Sequence, residues 1–167
     1  MQWKNEADVD DYVKGTFKNL GLKKNKDFFE KSGSEYLKNA LEGFSKTKDK
    51  SGKGIPDFAI ESYQIPILIE SKLGLKRLES RKENELKFDD NAISSCAFNG
   101  ALHYAMGVIK NNKYKEVIVI GIAGDNEENV SFKVAYVFGA SSLAFKEIVS
   151  QNLDFLENKK SFESFYA

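Results

Sequence analysis

The sequence predicts an α/β domain with a mixed central sheet flanked by helices. Three observations lead to this fold class: an amphipathic helix at the start, two apolar strand-like runs around a turn, and a long apolar helix followed by two more strands. A helix between two strands that pair in parallel serves as a crossover. A chain of 167 residues suits one such domain. We assign residues 1–150 to it, and 151–167 to a C-terminal tail or the start of a linker.

The first helix is predicted over residues 5–20, because an asparagine suited to an N-cap precedes it and a glycine follows it. Helical periodicity places Glu6 in the middle of the apolar face and Asp10 at its edge, while Asp8 points away. An inward carboxylate at a helix start needs a partner. Glu6 therefore serves either a site at that face or the positive end of the helix dipole.

The later elements are assigned from hydrophobic periodicity and turn residues. They are a helix over 34–44, a helix over 92–109, strands over 116–123 and 131–138, and a short helix over 142–150. Residues 45–54 have the Lys, Ser and Gly content of a connecting loop. Residues 73–90 are highly charged without periodicity, which predicts a flexible surface loop.

The most informative segment is 54–72, which carries charged residues on otherwise apolar strands. Asp57 lies near the start of the first strand, and Glu70 and Lys72 lie at the end of the second. Because Glu70 and Lys72 are two residues apart, they share a face of the sheet. A reversal of the chain at residues 63–64 places Asp57 opposite Glu70, with Cβ atoms roughly 4.5–5.5 Å apart.

Two facing carboxylates repel each other, and a cation bound between them removes that penalty. With a lysine beside them, they can hold a divalent metal next to a phosphate, so the segment is a candidate site of phosphodiester hydrolysis. The alternative from the same residues is that Asp57 is a turn residue and that residues 70–72 are a solvated strand end. The register decides between them, since a slip of one residue separates the two acids.

Four segments together resemble the PD-(D/E)xK nuclease superfamily, and within it the N-terminal nuclease domains of type I restriction subunits and type IIG restriction–modification enzymes. The resemblance spans residues 5–125. It is carried by Asn5-Glu6-Ala7-Asp8, Gly54-Ile55-Pro56-Asp57-Phe58, Glu70-Ser71-Lys72 and Asn99-Gly100-Ala101-Leu102-His103-Tyr104-Ala105.

The resemblance implies a restriction-endonuclease-like core that binds Mg²⁺, with Mn²⁺ as a substitute. Asp57 and Glu70 match the metal ligands, Glu6 matches the acid of the first helix that helps to hold the metal, and Lys72 matches the catalytic lysine. The implied substrate is double-stranded DNA. The resemblance also implies covalently linked methyltransferase or helicase regions and specificity regions.

Basic residues flank the candidate site, with nine basic and five acidic residues between Lys46 and Lys82. Candidate contacts to DNA phosphates are Lys46, Lys48 and Lys53 in the loop and, from the resemblance, Asn99, His103 and Tyr104 on the third long helix. The alternatives are that the lysines are solvated loop charges and that His103, the one histidine, is a packing residue.

Composition excludes several other classes. A net charge of zero argues against a broad surface that coats nucleic acid. The single cysteine, Cys96, excludes an internal disulfide and a cysteine-rich zinc site. The N-terminus lacks an apolar signal-peptide segment, and no apolar run is long enough to span a membrane, which together predict the cytoplasm.

We therefore predict a Mg²⁺-dependent DNA endonuclease domain, the cleavage module of a restriction enzyme. Two other classes stay open. One is a catalytically inactive nuclease-like fold that binds nucleic acid or serves assembly, and the other is a different metal hydrolase or a small-ligand-binding α/β domain.

Overall fold

The computed structural model describes residues 1–46, 52–111, 113–139, 144–148 and 152–166. Its strands are β1 (Phe29–Glu30), β2 (Phe58–Ile60), β3 (Ile67–Leu73), β4 (Arg81–Lys82), β5 (Glu85–Leu86), β6 (Glu116–Asn126), β7 (Asn129–Phe138) and β8 (Ala144–Ile148). Six of them form one sheet in the order β1-β2-β3-β6-β7-β8, while β4 and β5 form a separate hairpin. The pair β3–β6 is parallel and the other pairs are antiparallel. The predicted mixed sheet is confirmed.

Helices cover both faces of this sheet. They are α1 (Glu6–Asn19), α2 (Glu35–Ala40), α3 (Asp90–Ser95), α4 (Ala97–Lys110) and α5 (Lys159–Tyr166), with 3₁₀ turns at Leu75–Arg77 and Asp154–Leu156. One apolar cluster joins the sheet to α1 and α5, and a second joins its other face to α2 and α4. Helix α4 lies between β3 and β6 in the chain, which confirms the predicted crossover. No helix in the described part of the chain is long and apolar enough to cross a membrane.

Alternation along β3 decides which face each site residue occupies. Ile67 and Ile69 belong to the cluster on the α1 side, whereas Leu68 belongs to the cluster on the α4 side. Since side chains alternate along a strand, Glu70 continues the α4 side and Ser71 continues the α1 side. The strand therefore presents polar groups to both helices at its carboxyl end.

Helix α1 forms where it is predicted. The Asn5 side chain accepts a hydrogen bond from the Asp8 N–H at 3.1 Å, and the Asp8 carboxylate accepts one from the Asn5 N–H at 3.4 Å. This is a capping box, which satisfies two amides of the first turn. The helix ends at Leu20, before Gly21 with its positive φ of 84°.

The helix predicted over 34–44 is shorter, because the chain turns at Gly43, which has a φ of 83°. The N–H groups of Gly43 and Ser45 both donate to the Gly52 carbonyl, at 3.1 and 3.2 Å, and the Gly54 N–H donates to the Leu41 carbonyl at 2.8 Å. These bonds join residues 41–45 to residues 52–54. The N–H groups of Gly43 and Ser45 donate in these bonds, so they are not available for the hydrogen bonds that would continue the helix.

The helix predicted over 92–109 is two helices, α3 and α4. Cys96 separates them with extended backbone, φ −119° and ψ 135°. The break frees the Phe98 N–H, which donates to the Leu78 carbonyl at 2.8 Å. Residues 73–90 are therefore tied to the start of α4.

The same tie corrects the prediction of a flexible loop over 73–90. Its hairpin β4–β5 is held at the base by the fully buried Asn99. The Asn99 amide accepts from the Ser80 N–H at 2.9 Å and donates to the carbonyls of Ser80 and Lys87 at 3.0 and 2.8 Å. One buried side chain thus supplies the order that the local sequence lacks.

The helix predicted over 142–150 is wrong where the structure describes that segment. Residues 144–148 form β8, which pairs with the exposed edge of β7. A short apolar run cannot be assigned to helix or strand by periodicity alone. Residues 142–143 and 149–150 lie outside the described residues.

The described part of the predicted C-terminal tail packs onto the core beside α1. Leu153, Phe155, Leu156 and Phe162 are buried there. The Tyr63 ring stacks on Phe162 with centroids 4.9 Å apart, and its hydroxyl donates to the Leu156 carbonyl at 2.6 Å. Residues 152–166 thus pack against the same core as α1.

Candidate functional site

The candidate site lies at the edge of the sheet where the carboxyl ends of β3 and β6 meet the start of α1. The Gly74 N–H donates to the Gly124 carbonyl at 2.8 Å, and the Trp3 N–H donates to the Asp125 carbonyl at 2.9 Å. Carboxyl ends of neighbouring parallel strands commonly form ligand sites in α/β proteins.

The predicted hairpin register is confirmed: Phe58 pairs with Ile69 and Ile60 with Ile67. Continuing that register places Asp57 beside Glu70, and two hydrogen bonds fix the two acids there. The Asp57 N–H donates to Glu70 Oε2 at 2.8 Å. The Ser71 N–H donates to Asp57 Oδ2 at 2.9 Å. Each carboxylate is therefore held by the backbone of the opposite strand.

Glu70 is fully buried and forms an ion pair with the Lys46 ammonium through Oε1. Burial raises the pKa of the Glu70 carboxyl above its ordinary value. The charge on Lys46 opposes that shift, and the charge on Asp57 adds to it. Burial alone would lower the pKa of Lys46, but the carboxylates of Glu70, Asp57 and Glu6 outweigh it and raise that pKa. Lys46 is therefore a permanent cation among these acids.

Lys72 completes the charged group on the same face of β3 as Glu70. Its ammonium lies 3.2 Å from Glu6 Oε1. Glu6 has the predicted direction, on the same side of α1 as Val9 and Val13, but its side chain is 49% exposed and not buried there. The core covers α1 only from Val9 onward and leaves the first turn at the open edge of the sheet. Glu6 thus reaches the site through Lys72.

Asp10 is a site residue that sequence reasoning placed only at the edge of the apolar face. It is buried, and the Ser71 hydroxyl donates to its carboxylate. Lys31 Nζ lies 3.7 Å from its other oxygen. Burial raises the pKa of Asp10, the Ser71 hydrogen bond lowers it, and the charge on Asp57 raises it further. Asp10 and Asp57 both bind Ser71, so Asp10 fixes the strand that carries the site.

The three helix candidates for DNA contact are buried in α4. The Asn99 amide is fully used by the β4–β5 hairpin, and a ring nitrogen of His103 lies 2.9 Å from the Phe44 carbonyl oxygen. Tyr104 lies under Lys46, whose Nζ is 5.5 Å from the ring centroid. Tyr104 thus lies against Lys46, whereas Asn99 and His103 hold neighbouring backbone segments. Of the loop candidates, Lys53 is exposed and Lys48 lies outside the described residues.

Additional basic groups surround Cys96 at this edge. Burial raises the pKa of the Cys96 thiol, while the charges on Arg77, Lys72 and Lys87 oppose that shift. Arg77 is exposed and Lys87 half-buried. The charge on Asp89 adds to the shift, so the surroundings of Cys96 carry charges of both signs.

The donor set suits a hard divalent cation in part. Asp57 and Glu70 offer the carboxylate oxygens that Mg²⁺ prefers, and the ammonium on Glu70 occupies a position where positive charge is favoured. Among the residues that the structure describes, however, no group of three or more His, Cys, Asp or Glu side chains is arranged to hold an ion. Two protein ligands are still compatible with Mg²⁺, which keeps several waters and is often bound through one or two carboxylates.

One curated protein is similar in sequence to most of this chain. It is the type II restriction enzyme and methyltransferase RM.BcgI of Heyndrickxia coagulans, 37% identical over 124 residues. The match covers 72% of this chain and 19% of that protein. No protein-family model and no solved structure matches the chain. The chain is thus related to a segment of a restriction–modification protein.

Proposed function

We propose that this chain is the DNA-cleaving module of a restriction system, a Mg²⁺-dependent endonuclease of the PD-(D/E)xK kind. The observation that supports it most is the placement of Asp57 beside Glu70 at the end of β3, with Lys72 two residues further on the same face. The mixed sheet is compatible with a restriction-endonuclease-like core. The similarity to a restriction enzyme and methyltransferase points to the same class of reaction.

Asp57 and Glu70 would hold the ion, with Mn²⁺ as a substitute for Mg²⁺. A bound ion of this kind polarises a phosphate and lowers the pKa of a bound water. Lys72 supplies an ammonium on the same face, which stabilises the negative charge that builds on the phosphate in the transition state. Glu6 is a further candidate ligand by resemblance. Its carboxylate contacts Lys72 and so orients that ammonium.

Double-stranded DNA is the proposed substrate, because the basic groups at the site edge can contact its phosphates. Lys53 and Arg77 are exposed, and Lys72 lies on the same face of β3 as Glu70 and contacts Glu6. Phosphate contacts position DNA without reading its sequence. Recognition of a target sequence would then come from linked methyltransferase or helicase and specificity regions. The similar protein is named as both a restriction enzyme and a methyltransferase, which agrees with such a linkage.

We expect the protein, incubated with supercoiled plasmid and Mg²⁺ or Mn²⁺, to nick or linearise the DNA, and EDTA to stop the reaction. Lys72→Ala should reduce cleavage by about 10²–10³-fold, since it removes a charge that stabilises the transition state. Lys76→Ala is the matched control, an exposed lysine four residues away, and should cleave like the wild type. DNA binding without cleavage in any divalent ion would instead favour an inactive, nuclease-like binding or assembly module.

A second prediction separates the acids of α1. Glu6→Gln should lower cleavage by about 10–100-fold, the usual cost of losing a group that orients a catalytic or metal-binding residue. Its melting temperature should change little, because Glu6 is half-exposed. Asp8→Asn is the control, since the Asp8 carboxylate accepts from the N–H groups of Lys4 and Asn5 and so serves the helix cap. Equal cleavage by Glu6→Gln and the wild type would leave Glu6 as a first-turn acid only.

A further inference from the structure

Lys46 reaches Glu70 from the end of a segment whose backbone is bonded to residues 52–54. Residues 41–45 and 52–54 are joined by the backbone hydrogen bonds of Gly43, Ser45 and Gly54. His103 on α4 contacts the Phe44 carbonyl. The segment that carries Lys46 is therefore fixed against α4, and the direction of its side chain follows from a defined backbone.

Helix α4 leaves room for the Lys46 side chain along its surface. A Cβ on Gly100 would lie 3.1 Å from Lys46 Cδ, so the absence of a side chain at Gly100 lets the lysine stem lie against the helix. The Tyr104 ring lies along the same path and can stabilise the ammonium through a cation–π interaction. Only 17% of the Lys46 side chain is exposed. Such a buried course is unlike that of a solvated loop lysine, whose head stays in water.

We propose that Lys46 is a tethered cation that occupies the metal-binding side of Glu70 and is displaced when a divalent ion binds. This inference rests on the proposed function, because it assumes that Glu70 is a metal ligand. A fully buried carboxylate without a counter-charge is costly, and Lys46 provides that charge while the metal is absent. A doubly charged ion between Asp57 and Glu70 takes over this role and repels the ammonium.

Displacement gives Lys46 a second position, in which its ammonium faces the solvent. Its ammonium is then free to meet a phosphate of the DNA at the moment when the metal is in place. Binding of the metal at Asp57 and Glu70 thereby releases the Lys46 ammonium for contact with a DNA phosphate.

The test is the chemical reactivity of Lys46, measured by acetylation with an N-hydroxysuccinimide ester and mass spectrometry of the peptides. In metal-free wild type, Lys46 should react much more slowly than Lys53. Saturation with Mn²⁺ should raise its rate to about that of Lys53, since the side chain leaves a position where 17% of it is exposed and its ammonium is paired with Glu70. In Asp57→Asn, which lacks one ligand, Mn²⁺ should not release it. In Glu70→Gln, Lys46 should react fast with or without Mn²⁺.

Calorimetric titration of the same samples with Mn²⁺ separates the two hypotheses. If Mn²⁺ binds the wild type and Lys46 stays protected, the tethered-cation proposal is overturned and the nuclease proposal stands. If Mn²⁺ does not bind the wild type, both are overturned. Release of Lys46 by Mn²⁺ in the wild type, but not in Asp57→Asn, supports the proposal.

Discussion

Replacement of Glu70 by glutamine is expected to abolish DNA cleavage, with a loss of at least about 10³-fold. The substitution keeps the shape of the side chain and removes its charge, so Asp57 alone remains to hold the ion. It also leaves the Lys46 ammonium beside the site without its main partner. The measurement is the rate of plasmid cleavage at saturating Mg²⁺, with DNA affinity measured in Ca²⁺ to show that binding is retained.

Glu61→Gln is the control, because Glu61 is a third acid of the same hairpin, at the opposite end of β2 from Asp57. Its carboxylate accepts from the Ser34 N–H at 2.9 Å and from the Ser34 hydroxyl, which caps α2, at 2.5 Å. The substitution weakens charge-assisted hydrogen bonds and should cost roughly 1–2 kcal/mol of unfolding free energy. Cleavage at a temperature below its melting point should persist. If the two variants lose cleavage to the same extent, the effect of Glu70→Gln is one of folding and not of chemistry.

The register of the hairpin could be predicted because the sequence constrains it locally. Pro66 precedes β3, the turn lies between two apolar runs, and a shift of one residue would exchange the side chains of the strand that face α1 with those that face α4. The same local rules gave the caps of α1, where Asn5 and Gly21 act through neighbouring backbone groups. Contacts within a few residues of each other are visible in a sequence, and the fold class follows from their order.

The features that the sequence did not predict depend on contacts between segments that are distant in the chain. Asn99 orders residues 80–87 through three hydrogen bonds, yet periodicity shows it only as a polar position on a helix. Asp10 becomes a site residue because Ser71, 61 positions away, points to the α1 face. Strand alternation alone indicates part of this, because Ser71 lies between Glu70 and Lys72 and so points to the opposite face of the sheet.

The exposure of Glu6 could not be predicted for a related reason. Helical periodicity gives the direction of a side chain around the helix axis, but not how far the sheet extends along that axis. The sheet covers α1 from Val9 onward. Glu6 therefore points in the direction of the core residues but lies beyond the part of the helix that the sheet buries. Lys46 is the opposite case, a loop lysine that Gly100 and Tyr104 on α4 allow to be buried.

Thermal melts of Asp57→Asn, with EDTA and with millimolar Mg²⁺, are expected to show whether Asp57 is a metal ligand or a structural turn residue. Without metal, the substitution removes repulsion from Glu70 and Asp10, worth roughly 0.2–1 kcal/mol for facing like charges. It also removes one attraction to Lys46. The asparagine oxygen can still accept from the Ser71 N–H. The metal-free variant should therefore melt at or above the wild-type temperature.

Addition of Mg²⁺ should raise the melting temperature of the wild type by about 5–10 °C at 100 times the dissociation constant, because a ligand that binds only the folded state stabilises it by mass action. Asp57→Asn should gain much less. Asp27→Asn is the control, since Asp27 accepts from the Lys23 N–H in a turn at 2.7 Å and should respond to Mg²⁺ like the wild type. If Asp57→Asn is less stable without metal and gains as much from Mg²⁺ as Asp27→Asn, Asp57 is a turn residue of the same structural kind. The metal would then bind elsewhere or not at all.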